Sequence, residues 1–342
     1  MIRNLFAMVL RSRLENIMAV GVSASLLVLF LTTRLFHSFS FGLHDILFIL
    51  LPVAVLGLKA LLGLLTFSGD EAGENAAPAK FLGQFFQPFV KIVRDWFPFL
   101  LLSACYYSLY SNLILRVNPH TTDALLAKID ASVFGNQPAF LLERCIHPWI
   151  TDFLNVIYFS FVLYLPAVAL YFYLAKAEKP FRRLMMGYLT LILMGITSYL
   201  LVPAVGPDKF FAQQFSRDLQ GQTLSHGVDY IMKMARVGHD CFPSLHVGIP
   251  LLLAFYLRDY RRKLFIPALI YVAFMCCATI YLRYHYVIDV VAAFVYAPVA
   301  YYLNDFLLAR WPGERMADAS AAPTQITEPE IVGGISVVAR AE

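Results

Sequence analysis

Two short stretches carry residue types suited to moving a phosphoryl group. The first is Cys241-Phe242-Pro243-Ser244-Leu245-His246-Val247-Gly248, and the second is Tyr281-Leu282-Arg283-Tyr284-His285-Tyr286-Val287-Ile288-Asp289. His285 and Asp289 are one turn apart if a helix starts near His285, so they share a face. Asp289 then accepts from one ring nitrogen, which fixes the tautomer and leaves the other nitrogen as nucleophile or base. The plainer alternative is a polar pair bracing a helix interface. In the first stretch, Pro243 suits the opening turn of a helix. Backbone N–H groups at such a start attract an anion. Ser244 either caps that helix or donates its hydroxyl to a phosphate, and His246 is placed to protonate a leaving oxygen. The alternative there is an ordinary capped helix start. Developing negative charge calls for fixed cations. The candidates are Arg283 and Lys209, each with an alternative, as a headgroup anchor and a solvated loop charge.

Positioning these residues requires a membrane bundle. Of 342 residues, 59% are hydrophobic and 15% charged, against about 45–50% apolar and about 25% charged in soluble proteins. Mean hydropathy is +0.65. That balance excludes a soluble enzyme, a disordered protein, a collagen-like fibre and a nucleic-acid binder, and a net charge of +4 makes no basic domain. The fold expected is all-α, a polytopic transmembrane bundle. A crossing helix takes about 20 apolar residues. Eight stretches qualify, at 17–36, 43–67, 96–117, 152–175, 184–202, 244–256, 264–282 and 286–308. Lys and Arg concentrate in alternate connections, around Lys91 and Arg94, Arg182 and Arg183, and Arg261 and Arg262. By the positive-inside rule both termini are then cytoplasmic, and the two chemical stretches share the extracytoplasmic (periplasmic or lumenal) face. Residues 81–93 are apolar on one side and read as a surface helix. Segment 120–149 reads as interfacial helices. The chain divides into 1–95, two N-terminal spans with an interfacial segment; 96–309, a catalytic core; and 310–342, a tail whose composition predicts disorder.

Pro243-Ser244-Leu245-His246 and His285-x3-Asp289 resemble the second and third signatures of the type 2 phosphatidic acid phosphatase superfamily. Those signatures read Pro-Ser-Gly-His and Ser-Arg-x5-His-x3-Asp. The first signature, Lys-x6-Arg-Pro, is absent in its usual form. The Leu245 variant, the run 202–207 (Val-Pro-Ala-Val-Gly-Pro) and the run 129–135 (Ile-Asp-Ala-Ser-Val-Phe-Gly) are similar to a branch containing inositol phosphorylceramide synthases and bacterial relatives. The resemblance covers about 96–308 and implies a six-helix core. It implies that His285 attacks phosphorus to give a phosphohistidine, that Asp289 orients it, that His246 protonates the leaving group and that Ser244 is among the phosphate donors. No metal or other cofactor is implied. Thr279 stands where the family carries an arginine. Arg283 lies four residues on, so a continuous helix would bring it to the same face. Lys209 is the expected substitute for the missing first-signature cation, with Arg217 and Arg236 as alternatives.

The function expected is cleavage of a lipid phosphate ester at the membrane. Transfer of a phosphorylated headgroup to an alcohol or sugar acceptor is modestly favoured over hydrolysis by a lipid or polyprenyl (di)phosphate phosphatase. Transfer must exclude water from the intermediate, and segment 120–149 is the expected lid. A metal-dependent hydrolase built on His239, Asp240, His246, His285 and Asp289 lacks compact ligand spacings. A channel, transporter or lipid carrier would line a path across the bilayer, whereas the polar residues here gather at one face. Cys145 and Cys241 fall on that face and read as free thiols in preference to a pair.

Overall fold

The computed structural model describes residues 14–32, 116–222 and 238–311, with short helical pieces at 91, 94–98 and 114. Among them all regular structure is helical, apart from an isolated bridge between Ala204 and Asp240. The longer helices are α1 (Leu14–Thr32), α2 (Asp123–Phe134), α3 (Pro148–Leu174), α4 (Glu178–Leu201), α5 (Leu245–Tyr260), α6 (Phe265–Tyr281) and α7 (Val287–Arg310). Among the described residues four helices are long and apolar enough to cross a membrane: α3, α4, α7, and α6 with the turn leading into it, Arg262–Tyr281. The protein is thus an integral membrane protein. These helices match the expected spans at 152–175, 184–202, 264–282 and 286–308 to within a few residues. Helix α1 overlaps the span expected at 17–36. The span at 43–67, most of 96–117, the surface helix at 81–93 and the tail beyond 311 lie outside the described residues.

Helix α5 stands at the centre, against α3, α4, α6 and α7. Its residues Leu251, Leu252, Leu253 and Ala254 are consecutive and all buried, as expected for a helix that is apolar all round. The outer helices face away from the core with bulky apolar side chains. Val291, Phe294, Val295, Val299, Tyr302 and Phe306 of α7 are exposed at helical spacing, a stripe suited to lipid contact. Close helix approach uses small residues. Gly187 of α4 lies against the Tyr256 ring, and Gly195 faces Leu245.

Helix α5 has 16 residues, about 24 Å at 1.5 Å per residue, less than the roughly 30 Å hydrocarbon layer. One of its ends is fastened. Arg183 of α4 pairs with Asp259 of α5 at 3.3 Å and Asp305 of α7 at 2.8 Å. Asn304 donates to the Tyr256 hydroxyl and to the Arg183 carbonyl. With that end held, the N-terminus of the short helix is recessed within the bundle. His246 stacks on Tyr158, which lies ten residues into α3, about 15 Å from its start.

The recessed end is roofed by α2 and the loop at 203–222. Helix α2 stops at Gly135, whose left-handed backbone (φ 74°) returns its N–H to the Ala131 carbonyl, a glycine C-cap. Two short turns, Pro138–Leu141 and Leu142–Cys145, complete the expected interfacial segment. Four carboxylates from this part of the chain hold backbone amides. Asp123 accepts from Val205 and Gly206, and from the Tyr286 hydroxyl. Asp130 accepts from Val287 and Ile288 at the start of α7. Glu143 accepts from Ser216 and Arg217, and Asp152 from Gln222. The segment expected as a lid is thus a strut, tied down at both the loop and α7.

Gly206 sits at φ 89°, ψ 161°, a region open essentially only to glycine. A Cβ there would lie 2.6 Å from the Tyr284 carbonyl oxygen. Gly206→Ala is expected to destabilise the protein by about 1–3 kcal/mol or more, read as a lower thermal midpoint in detergent. An unchanged midpoint would contradict this packing.

Candidate active site

The site forms where the starts of α5 and α7 meet. Asp289, in the first turn of α7, is fully buried. Its Oδ2 accepts from the Tyr286 amide at 2.8 Å and from the Cys241 thiol at 2.9 Å, and lies 3.3 Å from His285 Nδ1. A carboxylate removed from water persists only with such partners. Its Oδ1 has no hydrogen-bond partner among the described residues. His285 is also buried. The Thr279 carbonyl, at the end of α6, accepts from both the Tyr284 and His285 amides. The Thr279 carbonyl thus helps to place the His285 backbone.

The other nitrogen of His285, Nε2, lies 3.5 Å from Nδ1 of His246. His246 is half-buried and stacked on Tyr158, with ring centroids 4.5 Å apart, and Phe161 lies at the same distance. The Asp289 carbonyl accepts from the Ser244 amide at 3.1 Å, joining the two helix starts. The Ser244 carbonyl receives the Val247 and Gly248 amides, but its side chain does not cap α5. Its buried hydroxyl has no partner among the described residues, an arrangement that costs about 1–3 kcal/mol. Three of the six residues expected at the site, Asp289, His285 and His246, thus form a line of contacts through His285, with Ser244 joined through its backbone.

Of the two cations, Arg283 sits differently from expectation. Helix α6 ends at Tyr281, and Arg283 follows in a left-handed conformation at φ 66°. The continuous helix that would bring Arg283 to the face of Thr279 does not exist. Arg283 instead pairs with Glu143 at 3.2 Å, donates to the Arg217 carbonyl at 2.7 Å and lies over the Phe215 ring. Both bonds leave from Nη2. Burial lowers the Arg283 pKa, and the Glu143 charge opposes that shift. Lys209 is exposed on the short turn Pro207–Phe210, and its ammonium lies over Gly238. The neighbouring Asp208 amide donates to the Arg283 carbonyl, so the Lys209 turn packs beside the link that carries Arg283. Arg236 lies outside the described residues.

Several contributors escaped sequence reading. Cys145 and Cys241 form no disulfide, in line with the preferred reading, but the place of Cys241 buried against Asp289 was not expected. Among the described residues, Cys241, His285 and Asp289 form the one cluster with metal-ligand spacing, and His239 and Asp240 are not in it. Asn155, on the α3 face between Asp152 and Tyr158, is buried with both amide atoms lacking partners among the described residues. Nothing in the spacing marked Asn155. The clustering of Asp123, Asp130, Glu143 and Asp152 in one apolar segment was the available signal for the strut.

Fold and site together define a membrane-embedded histidine pair backed by a buried carboxylate. A family profile for the PAP2 superfamily matches residues 124–303, more than half the chain, and the protein belongs to that superfamily. The family relation supports a phosphatase-type enzyme that acts on a lipid phosphate. No curated protein and no solved structure matches the chain.

Burial raises the pKa of Asp130. The Val287 and Ile288 amides offset this in part, and the charge of Asp289 adds to it. Such tension makes Asp130 a sensitive brace for α7. Asp130→Ala leaves two amides of the first turn without acceptors, at about 1–3 kcal/mol each. The expected result is a lower thermal midpoint and faster hydrogen exchange at 287–289. Unaltered exchange there would rule out the bracing role.

Proposed function

We propose that the protein cleaves a lipid phosphate ester through a phosphohistidine on His285. The observation that carries this reading is the line of contacts from Asp289 through His285 to His246. Asp289 accepts from the Nδ1–H of His285, which leaves the Nε2 lone pair pointing at the space beside His246. That lone pair forms the N–P bond as the bond from phosphorus to the lipid oxygen breaks. His246 gives its proton to the departing oxygen. In the second half, a water or alcohol oxygen attacks phosphorus, its proton passes to His246 and the N–P bond breaks. The phosphoryl group takes the place of the present contact between the two histidines. Ser244 supplies its unmatched hydroxyl to the phosphate. Arg283, with Nε and Nη1 turned to neither Glu143 nor Arg217, and Lys209 supply positive charge.

Within this reading the six-helix core at 96–309 crosses the bilayer with the site at the extracytoplasmic face and both termini in the cytoplasm. Two contacts favour a crossing at 96–117. Trp96 packs on Tyr173 and Phe181 at the end of the bundle near Arg183. At the site end, Asn118 donates to the Leu201 carbonyl. The recessed position of His246 beside Tyr158 and Phe161 favours transfer to an alcohol or sugar hydroxyl, because depth and aromatic walls restrict water. The pinned strut adds to that enclosure. Hydrolysis of a lipid or polyprenyl (di)phosphate is the second reading.

The test is incubation of purified protein with a panel of lipid phosphates, with and without alcohol acceptors, and mass spectrometry of the products. Products that carry the acceptor are expected, and phosphate release indifferent to acceptor would select the phosphatase. His285→Ala and His246→Ala are each expected to lower turnover by at least about 100-fold, the scale of acid–base catalysis, with the fold retained by circular dichroism. Full activity in either variant would refute its assigned role.

Asn155 is assigned to the substrate headgroup. Asn155→Leu removes two polar atoms that lack partners among the described residues, so a purely structural side chain would give equal or higher stability and unchanged turnover. The expected result is equal or higher thermal stability with turnover reduced about tenfold, the effect of losing one hydrogen bond of about 1.4 kcal/mol. Unchanged turnover would remove Asn155 from the site.

A further inference from the structure

We infer that Cys241, His285 and Asp289 form a binding site for a soft divalent cation such as zinc, and that its occupation switches the enzyme off by locking His285. This rests on the reading of His285 as nucleophile.

The geometry comes first. Tetrahedral zinc, with Zn–S about 2.3 Å and Zn–N or Zn–O about 2.0 Å, holds sulfur and nitrogen ligands about 3.5 Å apart and nitrogen and oxygen ligands about 3.3 Å apart. Cys241 Sγ lies 3.5 Å from His285 Nδ1, and His285 Nδ1 lies 3.3 Å from Asp289 Oδ2. Only the sulfur–oxygen separation, 2.9 Å, must open, by about 0.6 Å to reach the zinc value. A small rotation of the Cys241 side chain supplies that. A second observation points the same way. Asp289 is fully buried and its Oδ1 has no partner among the described residues, so the carboxylate keeps unused acceptor capacity inside the cluster. Charge also balances. A thiolate and a carboxylate neutralise a divalent ion, which makes its burial tolerable. A fourth position remains for water or a substrate oxygen, as in open zinc sites.

The chemistry of the lock follows from the tautomer. Binding releases the Cys241 thiol proton to solvent as the S–Zn bond forms. The metal takes the Nδ1 lone pair of His285, so the single proton of the neutral ring must sit on Nε2. That nitrogen then has no lone pair for phosphorus, and its N–H faces His246 Nδ1 as a ready acceptor. The same metal withdraws Asp289 from its orienting bond. One ion thereby removes both features that make His285 a nucleophile.

The test uses the full chain in detergent with any affinity tag removed. Cys105, Cys145, Cys276 and Cys277 are replaced by Ala so that Cys241 is the sole thiol. Cobalt titration reads thiolate-to-metal charge transfer, elemental analysis reads zinc per chain, and turnover of the best lipid phosphate is followed against zinc. The expected result is one ion per chain, a charge-transfer band, and inhibition that tracks occupancy. In Cys241→Ser the band is lost and zinc affinity falls by at least about 10–100-fold. If the four-cysteine background fails to fold, the difference between the native chain and Cys241→Ser gives the same reading. Absent binding, or binding indifferent to Cys241, with turnover intact overturns the metal site and leaves the phosphohistidine reading standing. Zinc held through Cys241 with turnover unaffected overturns the lock and counts against His285 as nucleophile.

Discussion

A carboxylate without access to water is the constraint around which the rest of this protein is arranged. Asp289 sits in the first turn of α7 and has to find its donors inside the protein, because leaving the charge unpaired would cost several kcal/mol. The donors come from three places in the chain: the Tyr286 amide at the start of its own helix, the ring of His285 in the link from α6, and the thiol of Cys241 before α5. Satisfying one oxygen therefore brings the α6–α7 link against the approach to α5. The bond from the Ser244 amide to the Asp289 carbonyl completes the junction. The histidines face each other because both lie on segments gathered by that carboxylate.

Holding this junction in a membrane takes a framework at each end of the bundle. At the far end, Arg183 binds Asp259 and Asp305, so α4, α5 and α7 share one ionic layer. At the site end no comparable ion-pair layer joins the helices among the described residues. Instead, carboxylates of Asp123, Asp130, Glu143 and Asp152 receive backbone amides from the loop at 203–222 and from α7. Charge-assisted bonds to backbone hold geometry without crowding the site with side chains. Two acids, Asp130 and Asp289, thus share the start of α7, where the helix dipole favours negative charge. The same framework engages Arg283. Its bridge to Glu143 orders the loop. Burial raises the Glu143 pKa, but the hydrogen bonds from Ser216 and Arg217 and the Arg283 charge outweigh it, and the net shift is downward.

Much of this was legible in the sequence. Four membrane helices announced themselves by apolar length. The contact of His285 with Asp289 was also expected, but the helix expected to start near His285 begins at Val287, so His285 reaches Asp289 from the link before α7 and not from a shared helix face. The pairing of His285 with His246 came from assigning both stretches to one face. What could not be read depends on chain geometry beyond a single element. The break after Tyr281 puts Arg283 in a left-handed turn, and no periodicity signals where an apolar helix of this composition stops. Cys241 read as a thiol outside any disulfide, but sequence shows the residue type and not that a carboxylate stands beside it. The acids of 123–152 looked like the mixed charge of a surface segment, since their partners are backbone amides, which every residue carries. Asn155 left no sequence trace at all, and only its burial without partners among the described residues sets it apart.

The central claim is that Asp289 and His246 frame His285 as a nucleophile that carries phosphate. The direct measurement is capture of the covalent intermediate. The protein is mixed with a radiolabelled lipid phosphate, quenched in alkali to preserve phosphohistidine, and digested for mass spectrometry. The account predicts phosphate on Nε2 of His285, formed and consumed at rates that match turnover. Turnover with no label on His285, or label on another residue formed at the turnover rate, would contradict it.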